Sequence, residues 1–245
     1  MQSFENLVCP VDKNQLISRS GFLYCSMDSC FHSKAPNGFK LANGVPILIS
    51  DKMCDTVCSG ENINSYVSRT NSIYGAIRRF LFAPSKVTLS NCITFVKEIK
   101  TVSREPQVLV IGSGEKGSGT ESLWFDKSIN IVGADIYLSE SVDIICDAHY
   151  LPFASGSFDG VWIQAVLEHV VQPDVVVREI FRILKDGGII YAETPFMQQV
   201  HEGAYDFTRF TVLGHRYLFK NFEEISYGGN KGPEVVLAWS IKYFF

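Results

Sequence analysis

Two groups of residues in this chain have the types and spacing that do chemistry. The first is Gly112-Ser113-Gly114-Glu115-Lys116-Gly117, directly after the apolar run QVLVI. Glycines after a strand let the backbone turn sharply and approach a ligand closely, and the spacing is the G-x-G-x-x-G of nucleotide-binding turns. Asp135, with Ile136 beside it, closes the next apolar run. A carboxylate there is placed to accept hydrogen bonds from ribose hydroxyls. The second group runs from His201 to Phe210, with His201, Tyr205, Asp206 and Arg209 packed close together. His201 can act as a base near neutral pH, and Arg209 can grip a carboxylate or phosphate with two parallel hydrogen bonds. The same residues also fit an Asp206–Arg209 ion pair that pins a lid, with His201 capping it.

The elements that must position these groups follow from the apolar pattern. QVLVIG, NIVGADI, VDIIC, FDGVWI and GGIIYAE are β-branched runs of strand length. Their continuous apolarity suits strands buried on both faces of a parallel sheet. Helical spacing appears between several of them, notably over Val175–Leu184 with Pro173 at its start. Alternating strands and helices predict a doubly wound α/β domain from residue 106 to 245, with both chemical groups at the carboxyl ends of its strands. NFEEISY is expected as the sixth strand, and the apolar stretch after it is more helical than strand-like. A seventh strand is then either absent or cut off. Residues 51–105 show helical spacing twice, over 63–81 and 89–99, and are expected as a helical connector. Residues 1–50 are turn-rich, with GFLYC and VPILIS as short strands.

Composition narrows the function. The chain has 245 residues, 22 basic against 26 acidic, and a net charge of -4, with no Lys/Arg-rich run. General nucleic-acid binding through a basic patch is not expected. No stretch reaches the ~18 apolar residues of a membrane span. The N-terminus lacks the pattern of a secretory signal, and the seven cysteines are an odd number. Reduced thiols and a cytoplasmic location are the expectation.

The glycine loop and Asp135 leave open a dinucleotide or S-adenosylmethionine (SAM). The stretch DIICDAHYLPFASGSFDGVWIQAVLEHV resembles the class I SAM-dependent methyltransferases, specifically the type 11 group. The likeness covers about residues 106–228 and implies a Rossmann-like, mostly parallel sheet and a methyltransferase activity. It implies that Asp147 contacts the adenine amino group with Ala148 beside it, and that Gln164 lies near cofactor and substrate. Gly112, Ser113, Gly114, Asp135 and Ile136 complete the implied cofactor site. Leu167-Glu168-His169 is similar to the family's helix-opening triplet, and Leu184-Lys185-Asp186-Gly187-Gly188 to its turn before the fifth strand. Val110 departs from it, because many members carry an acid there. The His201-x-x-x-x-Asp206-Phe207-x-Arg209-Phe210 segment is similar to one in methyltransferases that accompany saccharide and envelope biosynthesis. The implied acceptor is a saccharide or small-metabolite hydroxyl, with His201, Asp206 and Arg209 as the catalytic set. The N-terminal cysteines resemble a zinc ribbon, in which two C-x-x-C pairs give four thiolates. Here Cys9 and Asp12 replace the first pair, and Cys25 and Cys30 stand further apart than the pattern has them. His32, Cys54 and Cys58 are further candidates for the same structural zinc. Two rival functions stand beside this one: a non-catalytic SAM-fold subunit that binds a partner through the cysteine head, and an NAD-dependent oxidoreductase. Neither the acceptor's identity nor the oligomeric state is written in the sequence.

Overall fold

The computed structural model describes residues 7–53, 58–61, 63, 85–117, 119–201 and 205–244. Two hairpins open the chain. Ser20-Gly21 and Asn43-Gly44 both take positive φ, 51° and 79° in the first, 51° and 86° in the second. That pair of left-handed residues matches the twist of antiparallel strands, and glycine adopts it without strain. The first turn joins β1 (Leu16–Arg19) to β2 (Phe22–Cys25), and the second joins β3 (Leu41–Ala42) to β4 (Val45–Leu48). Helix α1 (Lys86–Val102) follows, capped by the Ser85 hydroxyl, which accepts from the Val87 N–H. Then come β5 (Gln107–Ile111), α2 (Glu121–Trp124), β6 (Asn130–Asp135), β7 (Ile144–Cys146) and β8 (Phe158–Gln164). The chain continues with α3 (Pro173–Ile183), β9 (Leu184–Glu193), α4 (Val212–Leu218) and α5 (Pro233–Phe244).

The main sheet has the order β3-β4-β7-β6-β5-β8-β9, and every pair is parallel except β3–β4. Alternate residues of β5 bury opposite faces. Val108 and Val110 join Cys92, Phe95 and Ile99 of α1 and Trp162 of β8 on one side. Leu109 and Ile111 join Val176, Ile180 and Ile183 of α3 on the other. This is why β5 reads as continuously apolar. Helix α1 lies very close to the sheet: a Cβ on Gly160 would sit 2.8 Å from Ile99 Cδ1. Asp159 is buried at the foot of β8, where it accepts from the Gln107 N–H at 2.8 Å and Lys185 Nζ at 2.9 Å. It ties β5, β8 and β9 together at the end away from the glycine loop. No helix among the described residues is long and apolar enough to cross a membrane.

The structure differs from the sequence expectations in three places. The boundary at residue 50 cuts through the sheet, because β4 pairs in parallel with β7 (Ile47 opposite Ile145). The head also shares the main core, since Leu7, Cys9, Leu16, Leu23, Cys25 and Phe39 pack in the same cluster as Leu151, Phe153 and Ile180. Of the 51–105 connector, the expected helix over 63–81 lies essentially outside the described residues, as does Cys54. The second helix is α1, and it covers a face of the sheet. NFEEISY forms no strand. Phe222 is drawn to Phe181 of α3, with ring centroids 5.3 Å apart, and Glu224 pairs with Arg216 of α4 at 2.6 Å. These contacts hold the segment against helices. The LKDGG stretch lies inside β9, where the pairing with β8 slips between Phe158 and Gly160 and Gly187 takes a φ of 74°.

Candidate functional site

The glycine loop leaves β5 at the centre of the sheet, between β6 and β8, where successive crossovers run in opposite directions. Open α/β sheets form ligand crevices at that point. Gly112 has a φ of 79°, and a Cβ there would lie 2.3 Å from Val166 Cγ2. Ser113 is fully buried, and its hydroxyl finds no hydrogen-bond partner among the described residues. The Gly114 N–H donates to Asp135 Oδ2 at 2.8 Å, and the Tyr137 N–H donates to Oδ1 at 3.0 Å. Asp135 is thus held at the end of β6, half-buried, with Ile136 half-buried beside it. Gln164, half-buried at the end of β8, accepts from Trp162 Nε1 at 3.4 Å, and a Cβ on Gly117 would lie 3.0 Å from its Oε1. Ala165, the next residue, takes a φ of 53°, a strained conformation for a non-glycine residue.

Asp147 follows β7 and is 4% exposed. It caps a 3-10 turn, accepting from the His149 N–H at 2.9 Å, and Oδ1 lies 2.5 Å from His149 Nδ1. The Gln172 N–H donates to His149 Nε2 at 3.1 Å. Nε2 is therefore an acceptor, and Nδ1 turns its N–H to Asp147. Ala148 is half-buried in the same turn. The structure gives Asp147 a capping job of its own, and whatever it offers a ligand it offers from that fixed position.

The second group gathers across β8 from the loop. Glu168 is fully buried, and neither carboxyl oxygen has a hydrogen-bond partner among the described residues. Burial pushes its carboxyl up to about 7. His169 Nε2 lies 3.7 Å from Glu168 Oε1, while His169 Nδ1 contacts the Tyr205 carbonyl. The His169 and His201 rings meet edge to face at 4.8 Å. His201 Nδ1 lies 3.2 Å from the Gln199 carbonyl and 3.3 Å from Asp206 Oδ2. Asp206 also accepts from the His201 N–H at 2.6 Å. The guanidinium of Arg209 beside it holds its carboxyl down at about 2.

Arg209 is not placed to grip a substrate. Its Nε donates to the Gln198 carbonyl, one Nη to Asp206 Oδ1 and the Thr208 carbonyl, and the other Nη to the Gln199 carbonyl and Asp206 Oδ2. A guanidinium has five N–H donors, and all five are matched within the chain. The clamp expected for Arg209 is replaced by the pin: it ties Gln198 and Gln199 to Asp206 and Thr208. The backbone helps, because the Phe207 N–H donates to the Glu168 carbonyl at 2.8 Å.

Residues 109–192 match the family described as Methyltransferase domain. That span begins in β5 and ends in β9, and it contains Gly112, Gly114, Asp135, Asp147 and Gln164. Over that span the chain has the sequence of a methyltransferase domain, set on a mostly parallel, Rossmann-like sheet. Its curated relatives include a ubiquinone/menaquinone biosynthesis C-methyltransferase of Neisseria meningitidis, 32% identical over 42% of this chain and 44% of the relative. Another, from Saccharophagus degradans, is 38% identical over 27% of this chain and 28% of the relative. This chain therefore spans less than half the length of these relatives. Among solved structures, a Haemonchus contortus phosphoethanolamine N-methyltransferase 2 in complex with S-adenosyl-L-methionine is 17% identical, with 64% of this chain and 44% of that one covered at a TM-score of 0.44. The YcgJ protein of Bacillus subtilis is 20% identical, with 55% and 67% covered at a TM-score of 0.40.

SAM is the cofactor of this class, and the methyltransferase domain has a cradle that fits it. A positive-φ glycine and a close loop bring backbone to the edge of β5, and an anchored carboxylate stands at the end of β6. Two polar residues were not singled out by sequence spacing. Glu193, at the end of β9, accepts from Tyr191 Oη at 2.6 Å and from Asn230 Nδ2 at 2.6 Å. Asn230 also donates to Thr88 Oγ1 of α1 at 2.7 Å. No local signal marks Asn230, because its partners lie far away in sequence.

At the head, Cys9, Asp12, Cys25 and Cys30 converge, with one ligand atom from each within 4.8 Å of the others. Cys9 and Cys30 sulfurs are 3.8 Å apart, and Cys25 Sγ lies 3.2 Å from both Asp12 oxygens. Burial pushes the Cys25 thiol up to about 12 and raises that of Cys9 as well. Three thiols and a carboxylate at that separation suit a tetrahedral zinc, whose charge would offset the cost of burying thiolates. His32 is excluded from the set: Nδ1 lies 2.7 Å from the Asn37 carbonyl, and Nε2 lies 2.6 Å from Ser50 Oγ.

Proposed function

We propose that this chain transfers the methyl group of SAM to a hydroxyl of a saccharide or other small metabolite. The observation that carries the reading is the meeting of two polar groups at one edge. The glycine loop packs against Val166, and Leu167, Glu168 and His169 follow directly into the His201 cluster. When bound, SAM supplies a methyl already activated on a sulfonium. The chain then has to hold donor and acceptor in line and exclude water. Gly112 to Gly114 and Asp135 hold the donor end. Gln164 and the strained Ala165 stand between the two halves. His201 lies on the acceptor side, with Nδ1 directed to Asp206 and the Gln199 carbonyl. That orientation leaves Nε2 to receive the proton of an acceptor hydroxyl, with Asp206 in the orienting role. Four residues of the head, Cys9, Asp12, Cys25 and Cys30, hold a structural zinc.

The experiment is calorimetry on the folded chain with SAM, its demethylated product and NADH. Micromolar binding of SAM, about -8 kcal/mol, with none of NADH supports the reading. No SAM binding by folded protein, or tighter binding of NADH, rejects it. Acceptor mixtures then separate an oxygen acceptor from a carbon acceptor of the kind named for the Neisseria relative.

A further inference from the structure

Glu168 stands out among the described side chains. It is a carboxylic acid, fully buried, with two oxygens that meet no donor among the described residues. An unsatisfied buried carboxyl costs several kilocalories per mole unless something is bound to it. Arg209 is near, but its five donors are spent elsewhere, and the other acids facing the site, Asp206 and Glu193, repel the charge. The side chains that do approach are His169 and His201. One ligand atom from each of Glu168, His169 and His201 lies within 4.8 Å of the others. Their tautomers suit a ligand role. His169 Nδ1 is engaged by the Tyr205 carbonyl and His201 Nδ1 by the Gln199 carbonyl and Asp206. A donor hydrogen bond at Nδ1 puts the lone pair on Nε2, and this is how metal-binding histidines are commonly oriented. Bond lengths of roughly 2.0–2.2 Å place ligand atoms about 3–3.5 Å apart, so the His169–Glu168 separation of 3.7 Å needs little adjustment.

We propose that Glu168, His169 and His201 form a divalent metal site, separate from the cysteine head, that takes a first-row transition ion such as Mn²⁺, Fe²⁺, Co²⁺ or Zn²⁺. Two imidazoles and one carboxylate are the donor set of borderline ions, and three protein ligands leave positions open. The site adjoins the acceptor side, so an acceptor oxygen would take an open position and be polarised there. The consequence for the proposed methyl transfer is specific. With metal bound, His201 Nε2 is a ligand and cannot also be the base. This extension rests on the methyltransferase reading only for its role in turnover; metal binding itself does not depend on it.

The test uses the folded full chain and the metal alone. Mn²⁺ is a poor partner for thiolates, so loss of its free-ion paramagnetic signal reports this site and not the head. Co²⁺ provides the control, because thiolate ligation gives a strong sulfur-to-cobalt band and a Glu-His-His site does not. The expected result is one Mn²⁺ per chain, with affinity reduced at least tenfold in Glu168→Gln and in His201→Ala. Both variants should keep the Co²⁺-thiolate band of the head. Absence of Mn²⁺ binding at millimolar concentration overturns the proposal, and so does equal binding by wild type and both variants. If Glu168→Gln fails to fold by circular dichroism, half-buried His201→Ala decides alone. SAM calorimetry without added metal stays as the separate test of the methyltransferase reading, so the two can fail independently.

Discussion

Asp135 is tied to the glycine loop before any ligand arrives, because its carboxylate accepts the Gly114 and Tyr137 N–H groups. Replacing it removes a ribose acceptor and releases the loop together. Asp135→Ala should weaken SAM binding by about 1–3 kcal/mol, roughly 5- to 150-fold, by calorimetry. Asp206 and Arg209 behave as one unit. Asp206→Ala and Arg209→Ala should lower the melting temperature by similar amounts and leave SAM affinity within about twofold, since neither touches the loop. His201→Ala should keep SAM affinity and cut turnover by roughly 10²–10⁴-fold. Glu168 makes a pH prediction with a definite sign. Its carboxyl titrates at 4.5 when unfolded and at about 7 when folded. Between those values the folded chain binds the extra proton, so this residue makes stability fall as pH rises through that window. Glu168→Gln should flatten that slope in melting curves, and a metal bound at the site should flatten it too. The spacing of His201, Asp206 and Arg209 marked the segment correctly as dense in polar groups. It did not show that Arg209 spends every donor inside the chain, because carbonyl partners such as Gln198 and Gln199 carry no signature in side-chain type.

At the scale of elements, the parts legible in the sequence were those with local causes. Asn43-Gly44 and Pro173 act within a few residues, and β5, β7 and β8 are apolar because both faces are covered. NFEEISY misled because a short run carrying Phe222, Ile225 and Tyr227 fits a strand as well as a loop packed on helices. What decided its fate was the distant Phe181 side chain and Arg216. Phe125, a large aromatic residue of the kind usually found in a core, is 72% exposed at the end of the short helix α2. The close approach of α1 to β8 was invisible in the sequence, although it fixes one residue type. Gly160→Ala places a methyl 2.8 Å from Ile99 Cδ1 and 3.0 Å from Phe95 Cζ. We expect a loss of about 1–3 kcal/mol in denaturant unfolding, as the flexible end of Ile99 shifts to make room. Gly112→Ala belongs to a different class. A positive φ and a 2.3 Å approach to Val166 Cγ2 act at the ligand loop itself. It should impair SAM binding more than it impairs folding.

The whole molecule is more unified than a head, a connector and a domain in series. Lys13 Nζ reaches Glu179 of α3 at 2.8 Å, and the Val8 N–H donates to the Pro152 carbonyl at 2.9 Å. With zinc bound at Cys9, Asp12, Cys25 and Cys30 as proposed, its removal should therefore shift one cooperative melting transition downward, by at least about 4 °C, in place of creating a separate early step. Calorimetry of Cys25→Ser, with zinc content measured on the same sample, checks this. The parallel pairing of β4 with β7 has a further effect, on the order of events as the chain is made. Ile47 leaves the ribosome well ahead of Ile145, its partner across the sheet. Until β7 emerges, one edge of β4 has only water or a chaperone to bond to. We expect sheet growth to start at β5, β6 and β8 and to reach the β3–β4 hairpin late, since distant contacts close slowly. Ile47→Ala should speed unfolding while leaving the refolding rate nearly unchanged, the kinetic mark of a segment that docks after the barrier has been crossed.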